Sequence, residues 1–184
     1  MPAERASILP TLERSEGHVF LKHMANHLEG WPEPEDFAKH KHVLLTRHPL
    51  KVLKSYRAHI DAPTALDLCY HHQRAWLERC EAEGWPVAVL DSDRLVAAPE
   101  QSLRALMNWM GLAFDTCMLE WPAGPRKEDG PWAKYWYHRV HASTGWEMAP
   151  GTDVDALPPV EERFLPLVAE TEPLYEFLRA RALN

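Results

Sequence analysis

The stretch HVLLTRHPLKVLKSYRAHI, His42 to Ile60, decides the fold expected for this chain. It begins with an apolar run that ends at Arg47, and Pro49 then opens a helical pattern that carries Ser55 eight residues after the arginine. An apolar run of this length is typical of a strand buried on both faces of a parallel sheet. The stretch therefore predicts a strand over His42 to Arg47 and a helix from Pro49 to about Ile60.

Two further apolar runs of strand length flank this one. They are HVFLK, His18 to Lys22, and PVAVLD, Pro86 to Asp91. Helical patterns cover Thr64 to about Glu83 and a segment that starts at Pro99 and ends at a glycine cap, Gly111. Strands that alternate with helices in this way predict an α/β fold around a central parallel sheet.

The chain is expected to form one domain over residues 1–184, with a poorly defined start over 1–17. Residues 121–157 form a Trp- and Pro-rich loop region, with one short helix expected around Trp132 to His141. Residues 158–184 are expected to be helical, with a break near Thr171 and Pro173 because proline removes a helical hydrogen bond.

Composition excludes several classes of protein. A chain of 184 residues that is 46% apolar suffices for one domain with a real core. The net charge of -7 argues against nucleic-acid or anionic-membrane partners, which favour a positive surface. The three cysteines lack disulfide or metal spacing, and we find no membrane span or signal peptide. We therefore expect a cytoplasmic protein.

The position of Arg47 predicts an anion site. In α/β sheets, ligands bind beyond the C-terminal ends of the strands, and a helix N-terminus there favours an anion. Arg47 adds a planar set of donors, and Ser55 adds a hydroxyl two turns into the helix. From spacing alone an alternative stays open, in which Arg47 pairs with a surface carboxylate and Ser55 is an ordinary helical residue.

The segment RHPLKVLKSY resembles the 3′-phosphate-binding segment of the sulfotransferases that use PAPS, 3′-phosphoadenosine 5′-phosphosulfate. That segment has Arg, then Asp or Asn, then Pro, with a serine eight residues after the arginine. Arg47, Pro49 and Ser55 match it, whereas His48 replaces the acidic or amide residue. Val89 to Trp121 is similar to a later family stretch, and the similarity is nearest to the bacterial and plant sulfotransferase-like group. The matching residues of that stretch are Asp93, Leu95, Pro99, Leu103, Leu106, Gly111, Leu112 and Trp121.

The resemblance implies a fold and an activity. The fold has three layers around the parallel sheet and is similar to that of the sulfotransferases and P-loop nucleotide kinases. The activity is transfer of a sulfonate group from PAPS to a hydroxyl or amine of a small-molecule acceptor, with no metal. Arg47 and Ser55 are implied to bind the 3′-phosphate, and Lys22 to neutralise charge on the bridging oxygen. His23 and His27 are the candidate general bases, although Met24 stands where better-known members carry the histidine.

A later segment, RKEDGPWAK, resembles the family loop that closes over the nucleotide phosphates. The resemblance implies that Arg126, Lys127, Gly130 and Trp132 bind the donor. Glu128 occupies the position of the first glycine and places a carboxylate near the phosphates. The alternative is a solvated loop whose tryptophans pack on the core.

The residues before Lys22 contain no Ser- and Gly-rich cradle for the 5′-phosphosulfate, so the resemblance implies an N-terminally incomplete domain. The chain is then a truncated protein, a subunit whose missing strand comes from another copy or a partner chain, or a reduced domain without activity. Two functions stay open, a sulfotransferase and a degenerate, non-catalytic nucleotide-binding or partner-subunit module that retains the 3′-phosphate site. A metal site at His71 and His72, or at His138 and His141, is disfavoured because no further ligand is suitably spaced.

Overall fold

A two-stranded parallel sheet lies at the centre of the chain. The computed structural model describes residues 16–25, 38–130, 133–147 and 159–183. Strand β1 is His42–Thr46 and strand β2 is Val87–Asp91, and their register pairs His42 with Val87 and Thr46 with Asp91. The parallel pairing of these two predicted strands is confirmed, and Arg47 follows the end of β1 directly.

The prediction of a strand over His18 to Lys22 is wrong. Residues 18–24 belong to no strand or helix in this structure. Val19 is 48% exposed and Phe20 is 82% exposed, so the apolar run packs against no strand edge among the described residues. A strand needs a neighbour to satisfy its backbone groups, and an apolar run alone does not provide one.

Helices surround the sheet and begin and end at the expected sequence signals. Proline occupies the first turn of the helices that start at Pro49 and Pro99. Left-handed glycines, Gly84 and Gly111, end the helices that start at Tyr70 and Pro99. Short 3-10 turns cover Thr116–Met118 and Glu162–Phe164. The described helices are α1 Pro49–Arg57, α2 Ala65–Leu68, α3 Tyr70–Glu83, α4 Ser92–Ala97, α5 Pro99–Met110, α6 Ala133–Trp136, α7 His138–Ala142 and α8 Leu165–Arg179.

The single helix predicted over Thr64 to Glu83 is two helices. Cys69, with φ of 64°, adopts the left-handed conformation between α2 and α3. Its buried thiol donates to the carbonyl oxygens of Leu66 and Asp67, which holds this turn in place. The short helix expected around Trp132 to His141 is likewise found as two pieces, α6 and α7.

The predicted break near Thr171 and Pro173 is also wrong, because α8 continues through Pro173. Thr171 is fully buried and its hydroxyl donates to the Leu167 carbonyl oxygen at 2.8 Å. Leu174 and Leu178 of the same helix lie in the core. Burial of this face outweighs the local cost of proline.

Helices α3 and α8 contact the sheet and share its main core, which closes around Leu44 and Val89, partners in the β1 and β2 register. Ala182 pairs with Val89 at the other edge of β2, where Leu183 N donates to Val89 O at 2.9 Å. Leu45, on the opposite face of β1, is 54% exposed. The architecture is compatible with the predicted α/β fold. No helix in the described ranges is long and apolar enough to cross a membrane.

Candidate functional site

The C-terminal ends of the two strands form the first part of the candidate site. Arg47 and His48 follow β1 directly, and Asp91 is the last residue of β2. Because the strands are parallel, these residues lie at the same edge of the sheet, where α1 begins. This is the edge at which the sequence predicts an anion site.

Arg47 is held by its backbone and leaves its charge available. The Tyr70 hydroxyl, on a ring that is 1% exposed, donates to the Arg47 carbonyl oxygen at 2.5 Å. Burial raises the pKa of Tyr70 far above its usual value, so the phenol remains a neutral donor. The Arg47 guanidinium makes no hydrogen bond or ion pair with any side chain in the described part of the chain. Among the described residues, the alternative in which it pairs with a surface carboxylate is therefore not observed.

His48 caps helix α1. Its Nδ1 accepts a hydrogen bond from Leu50 N at 3.3 Å, and its ring centre is 5.2 Å from that of Tyr175. Burial lowers the pKa of His48, and the nearby carboxylates of Glu172 and Asp93 oppose this shift in part. The imidazole is therefore neutral at pH 7 and acts as a cap that adds no charge to the site.

Lys51 is a second cation at this edge, and sequence reasoning missed it. Its Nζ is 3.0 Å from Asp93 Oδ1, with the two side chains 9% and 30% exposed. Ser55 lies four residues later on the same side of α1 and is exposed. That spacing from Ser55 is the signal that could have found Lys51. Because Asp93 neutralises Lys51, Arg47 is the better candidate for an incoming anion.

Asp91 has a structural role at the end of β2. Its Oδ1 accepts from the backbone N–H groups of Asp93 and Arg94, which caps α4. Its Oδ2 accepts from the Tyr175 hydroxyl at 2.8 Å. Burial, followed by this hydrogen bond, raises the pKa of Tyr175. Beside Asp91 in the register, Thr46 is 1% exposed and its hydroxyl has no hydrogen-bond partner among the described residues.

The loop that begins at Arg126 forms the second part of the candidate site. Arg126 N donates to Asp129 Oδ2 at 2.8 Å, and Asp129 N donates to Arg126 O at 3.1 Å, which closes a tight turn. Lys127 and Glu128 are exposed, and their charged atoms are 3.5 Å apart. Gly130 accepts a hydrogen bond at its carbonyl oxygen from Ala133 N at the start of α6.

A histidine and a lysine lie beside this loop. Asp129 Oδ2 is also 2.8 Å from His141 Nε2, and the His141 ring centre is 6.0 Å from that of Tyr137. Lys22 Nζ lies 5.6 Å from the centre of the same tyrosine ring. The hydrogen bond from Arg126 N and then that from His141 lower the pKa of Asp129, so its carboxylate is ionised at neutral pH. We call Lys22, Asp129, Tyr137 and His141 the loop group.

Comparison with known proteins decides the family. A sulfotransferase domain family matches residues 2–182, nearly the whole chain. The chain belongs to this sulfotransferase family. The predicted resemblance to sulfotransferases is therefore confirmed.

This sulfotransferase-family chain is also similar to two curated plant proteins. It is 34% identical over 173 residues to branched-chain-amino-acid aminotransferase-like protein 1 of Arabidopsis thaliana, covering 90% of this chain and 29% of that protein. It is 35% identical over 162 residues to protein 2 of the same name and organism, covering 87% and 28%. The chain thus spans less than a third of the length of these relatives. No solved structure matches it.

The sulfotransferase candidate residues fall into two separate groups. Arg47 and Ser55 lie at the strand end and on α1, whereas Lys22 lies against Tyr137, whose ring contacts that of His141 beside the loop. No hydrogen bond, ion pair or ring contact joins Arg47 or Ser55 to the loop group in the part of the chain that the structure describes.

Three further predicted site residues are two histidines and a tryptophan. His23 is exposed, and His27 and Trp132 lie outside the described residues. Within the described ranges, no three His, Cys, Asp or Glu side chains are grouped to hold a metal ion. The sequence did not predict Asp129 as a site residue, and it offered His141 only as part of a disfavoured metal site. The contact between them joins a loop to a helix and leaves no local pattern in the sequence.

Proposed function

We propose that this chain takes part in the transfer of a sulfonate group from PAPS to a hydroxyl or amine of a small-molecule acceptor, and that Arg47 binds the 3′-phosphate of the donor. Membership of the sulfotransferase family supports the proposal. The observation that carries it is the Arg47 guanidinium, which lies at the strand ends beside the start of α1 without a carboxylate partner in the described residues. Such a fork of donors suits a doubly charged phosphate.

Different residues of the chain are suited to different parts of the donor. Arg47 and the exposed Ser55 hydroxyl supply donors for the 3′-phosphate, and Lys22 supplies a cation for the bridging oxygen. Bound PAPS provides the activated sulfonate group. Transfer of such a group passes through an expanded, charge-bearing transition state, so fixed cations contribute more than covalent help. Arg126 and Lys127, on the exposed loop, are the further cations that we assign to the donor.

A second function has one observation in its favour. Residues 18–22 form no strand, so Lys22 is not held at the sheet edge that positions Arg47. A non-catalytic nucleotide-binding or partner-subunit module needs Arg47 alone and does not need the two groups to meet. This alternative predicts binding of adenosine 3′,5′-bisphosphate without transfer.

Transfer from labelled PAPS tests the enzyme function. The protein is incubated with phenols, sugars and amines, and labelled products are separated. We expect product with at least one acceptor, and an increase of about tenfold or more in the KM for PAPS in Arg47→Ala, because a charge-assisted contact is lost. Arg79→Ala is the matched control, since Arg79 pairs with Glu83 and lies over Trp85, away from the candidate site.

Two outcomes decide between the functions. Bisphosphate binding without transfer to any acceptor contradicts the enzyme function and favours the binding module. An unchanged KM for PAPS in Arg47→Ala contradicts the role assigned to that arginine, even where transfer is observed.

The proposal also includes the cellular compartment and the partners of the protein. Cys69, Cys80 and Cys117 are free thiols, which is consistent with a reducing, cytoplasmic environment. Leu45 is an exposed apolar residue on β1, which supports pairing with another copy or a partner chain at this side of the sheet. The expected partner is a small-molecule acceptor. The net charge of -7 argues against nucleic-acid and anionic-membrane partners.

A further inference from the structure

We propose that His141, oriented by Asp129, is the general base that takes the proton from the acceptor in the proposed sulfonate transfer. The inference rests on the proposed enzyme function and adds the residue that activates the acceptor. It assigns this role to a histidine other than His23 and His27, the two candidates expected from the sequence.

The hydrogen bond to Asp129 fixes which nitrogen of His141 is available. An ionised carboxylate only accepts hydrogen bonds, so the proton of the neutral imidazole lies on Nε2, which is 2.8 Å from Asp129 Oδ2. The lone pair is then on Nδ1, which has no hydrogen-bond partner among the described residues. A histidine held by a carboxylate through one nitrogen, with the other open, is the arrangement of a general base.

Partial burial of the His141–Asp129 pair is compatible with the role of a general base. The His141 side chain is 24% exposed and that of Asp129 is 19% exposed, so the pair is shielded but reachable from solvent. His138, one turn earlier on α7, is exposed. Partial shielding strengthens the hydrogen bond that orients His141 and leaves room for an acceptor.

The distance from His141 to Lys22 suits the reaction. Lys22 Nζ is 5.6 Å from the Tyr137 ring centre, which is 6.0 Å from the His141 ring centre, so the cation and the imidazole are less than about 12 Å apart. An acceptor oxygen, a sulfur and a leaving oxygen in line, with a hydrogen bond at each end, span on the order of 10 Å. The base and the cation are therefore close enough to serve the two ends of one reaction.

Proton transfer from the acceptor accompanies transfer of the sulfonate group. The acceptor hydroxyl gives its proton to His141 Nδ1, and its oxygen forms a bond to the sulfur of PAPS. The bond from sulfur to the oxygen of the 5′-phosphate breaks, and that oxygen keeps the electron pair as adenosine 3′,5′-bisphosphate leaves. Lys22 stabilises the charge on the leaving oxygen, and the imidazolium remains paired with Asp129 until it loses its proton to solvent.

Asp129 also connects the base to the donor loop. The same Oδ2 atom accepts from Arg126 N at 2.8 Å and from His141 Nε2 at 2.8 Å. Asp129, whose carboxylate orients the base, therefore belongs to the same tight turn as Arg126 and Lys127, the cations that we assign to the donor. Of the charged side chains in the described residues, Asp129 pairs with His141 directly, and Lys22 lies against Tyr137, the ring that contacts His141.

His141→Gln tests the base directly, because the glutamine amide replaces Nε2 and can still donate to Asp129. We expect kcat/KM for transfer from PAPS to fall by about 100-fold or more, with the acid limb of the pH–rate profile lost. The thermal midpoint and the Kd for adenosine 3′,5′-bisphosphate should stay unchanged, which separates this role from a structural one. His138→Asn, the matched control on the same helix, should match the wild type in all four measurements.

The outcomes distinguish this inference from the proposed function. Transfer by His141→Gln at the wild-type rate and with the wild-type pH profile overturns the base assignment and leaves the sulfotransferase function standing. A wild-type protein that transfers to no acceptor overturns the enzyme function and the base with it. Nitrogen NMR of the ring gives an independent answer, since a proton found on Nδ1 of neutral His141 also contradicts the assignment.

Discussion

The two cations at the strand ends have different environments. Lys51 is 9% exposed and its charge is met by Asp93 at 3.0 Å, whereas the Arg47 guanidinium has no carboxylate partner among the described residues. A buried ion pair has already lost its hydration, so removing one partner leaves an uncompensated charge. We therefore assign Lys51 to stability and propose Arg47 for binding.

The ion pair predicts an order of stabilities. Asp93→Asn leaves the buried Lys51 ammonium without a partner and should cost about 2 kcal/mol, less than for a fully buried pair because Asp93 is 30% exposed. Lys51→Met should cost less than about 1 kcal/mol, since Asp93 can regain water. Urea unfolding measures both. Glu83→Gln, which breaks the exposed pair with Arg79, is the control and should have little effect. Equal costs for the first two variants would contradict the assignment.

His48 predicts a loss of stability in acid. Burial sets its folded-state pKa below the ordinary value of 6.5, so the unfolded chain takes up the proton more readily. The stability contributed by neutral His48 is complete above that ordinary pKa and is lost as pH falls through the lowered, folded-state pKa. His48→Asn keeps a capping side chain without the titration and should lose less stability between pH 7 and pH 5. Urea midpoints measured between pH 7 and pH 5 check this prediction. A midpoint that falls with pH as steeply in His48→Asn as in the wild type would exclude His48 as a cause.

The sequence indicated part of the site, for reasons visible at single residues. Arg47 follows an apolar run and Ser55 lies in the next helix, and both features are local. The contact of Lys51 with Asp93 joins α1 to α4, and that of Asp129 with His141 joins a loop to α7. Such contacts depend on how elements pack, and no spacing in the sequence expresses them.

At the scale of elements, local signals succeeded where they agreed with packing. Strands β1 and β2 and helix α5 have buried apolar residues together with clear starts and ends, and they were predicted well. The segment over residues 18–22 has the apolar run but no neighbouring strand among the described residues, so the strand prediction failed there. Helix α8 shows the opposite case, because packing carries it through a proline.

The proline in α8 predicts a stabilising substitution. Pro173 is exposed in the interior of the helix and cannot donate a backbone hydrogen bond. Pro173→Ala should therefore raise the free energy of unfolding by about 2 kcal/mol. Pro166, in the first turn of α8, is the matched control, because its missing N–H has no helical partner there. A gain from Pro166→Ala equal to that from Pro173→Ala would show that the position in the helix does not matter.

At the scale of the whole molecule, α8 ties the end of the chain to its centre. Leu174 and Leu178 pack in the core with Val89 of β2 and Leu77 of α3, and the residues after α8 pair with β2. The C-terminal helix is therefore required for the sheet that positions Arg47. Any site at the strand ends depends on this packing.

The dependence on α8 can be measured at one residue. Leu178 is 0% exposed, and Leu178→Ala should cost about 3 kcal/mol through the cavity that it creates. Leu165→Ala, at the exposed start of the same helix, should cost less than about 1 kcal/mol. Thermal unfolding followed by circular dichroism compares them. Similar midpoints for the two variants would mean that α8 contributes little to the core.

The net charge of the molecule makes the local site the critical feature. A chain with a net charge of -7 repels anions at long range, and salt screens that repulsion beyond about 8 Å. Binding of a nucleotide with two phosphate groups must therefore come from short-range contacts, of which those from Arg47 are central to the proposal.

Isothermal titration calorimetry with adenosine 3′,5′-bisphosphate and adenosine 5′-monophosphate tests this claim most directly. We predict that the wild type binds the bisphosphate about tenfold or more tightly than the monophosphate, and that Arg47→Ala loses this preference while Arg79→Ala keeps it. Equal affinity of the wild type for the two nucleotides, or an undiminished preference in Arg47→Ala, would contradict the proposed 3′-phosphate site at Arg47.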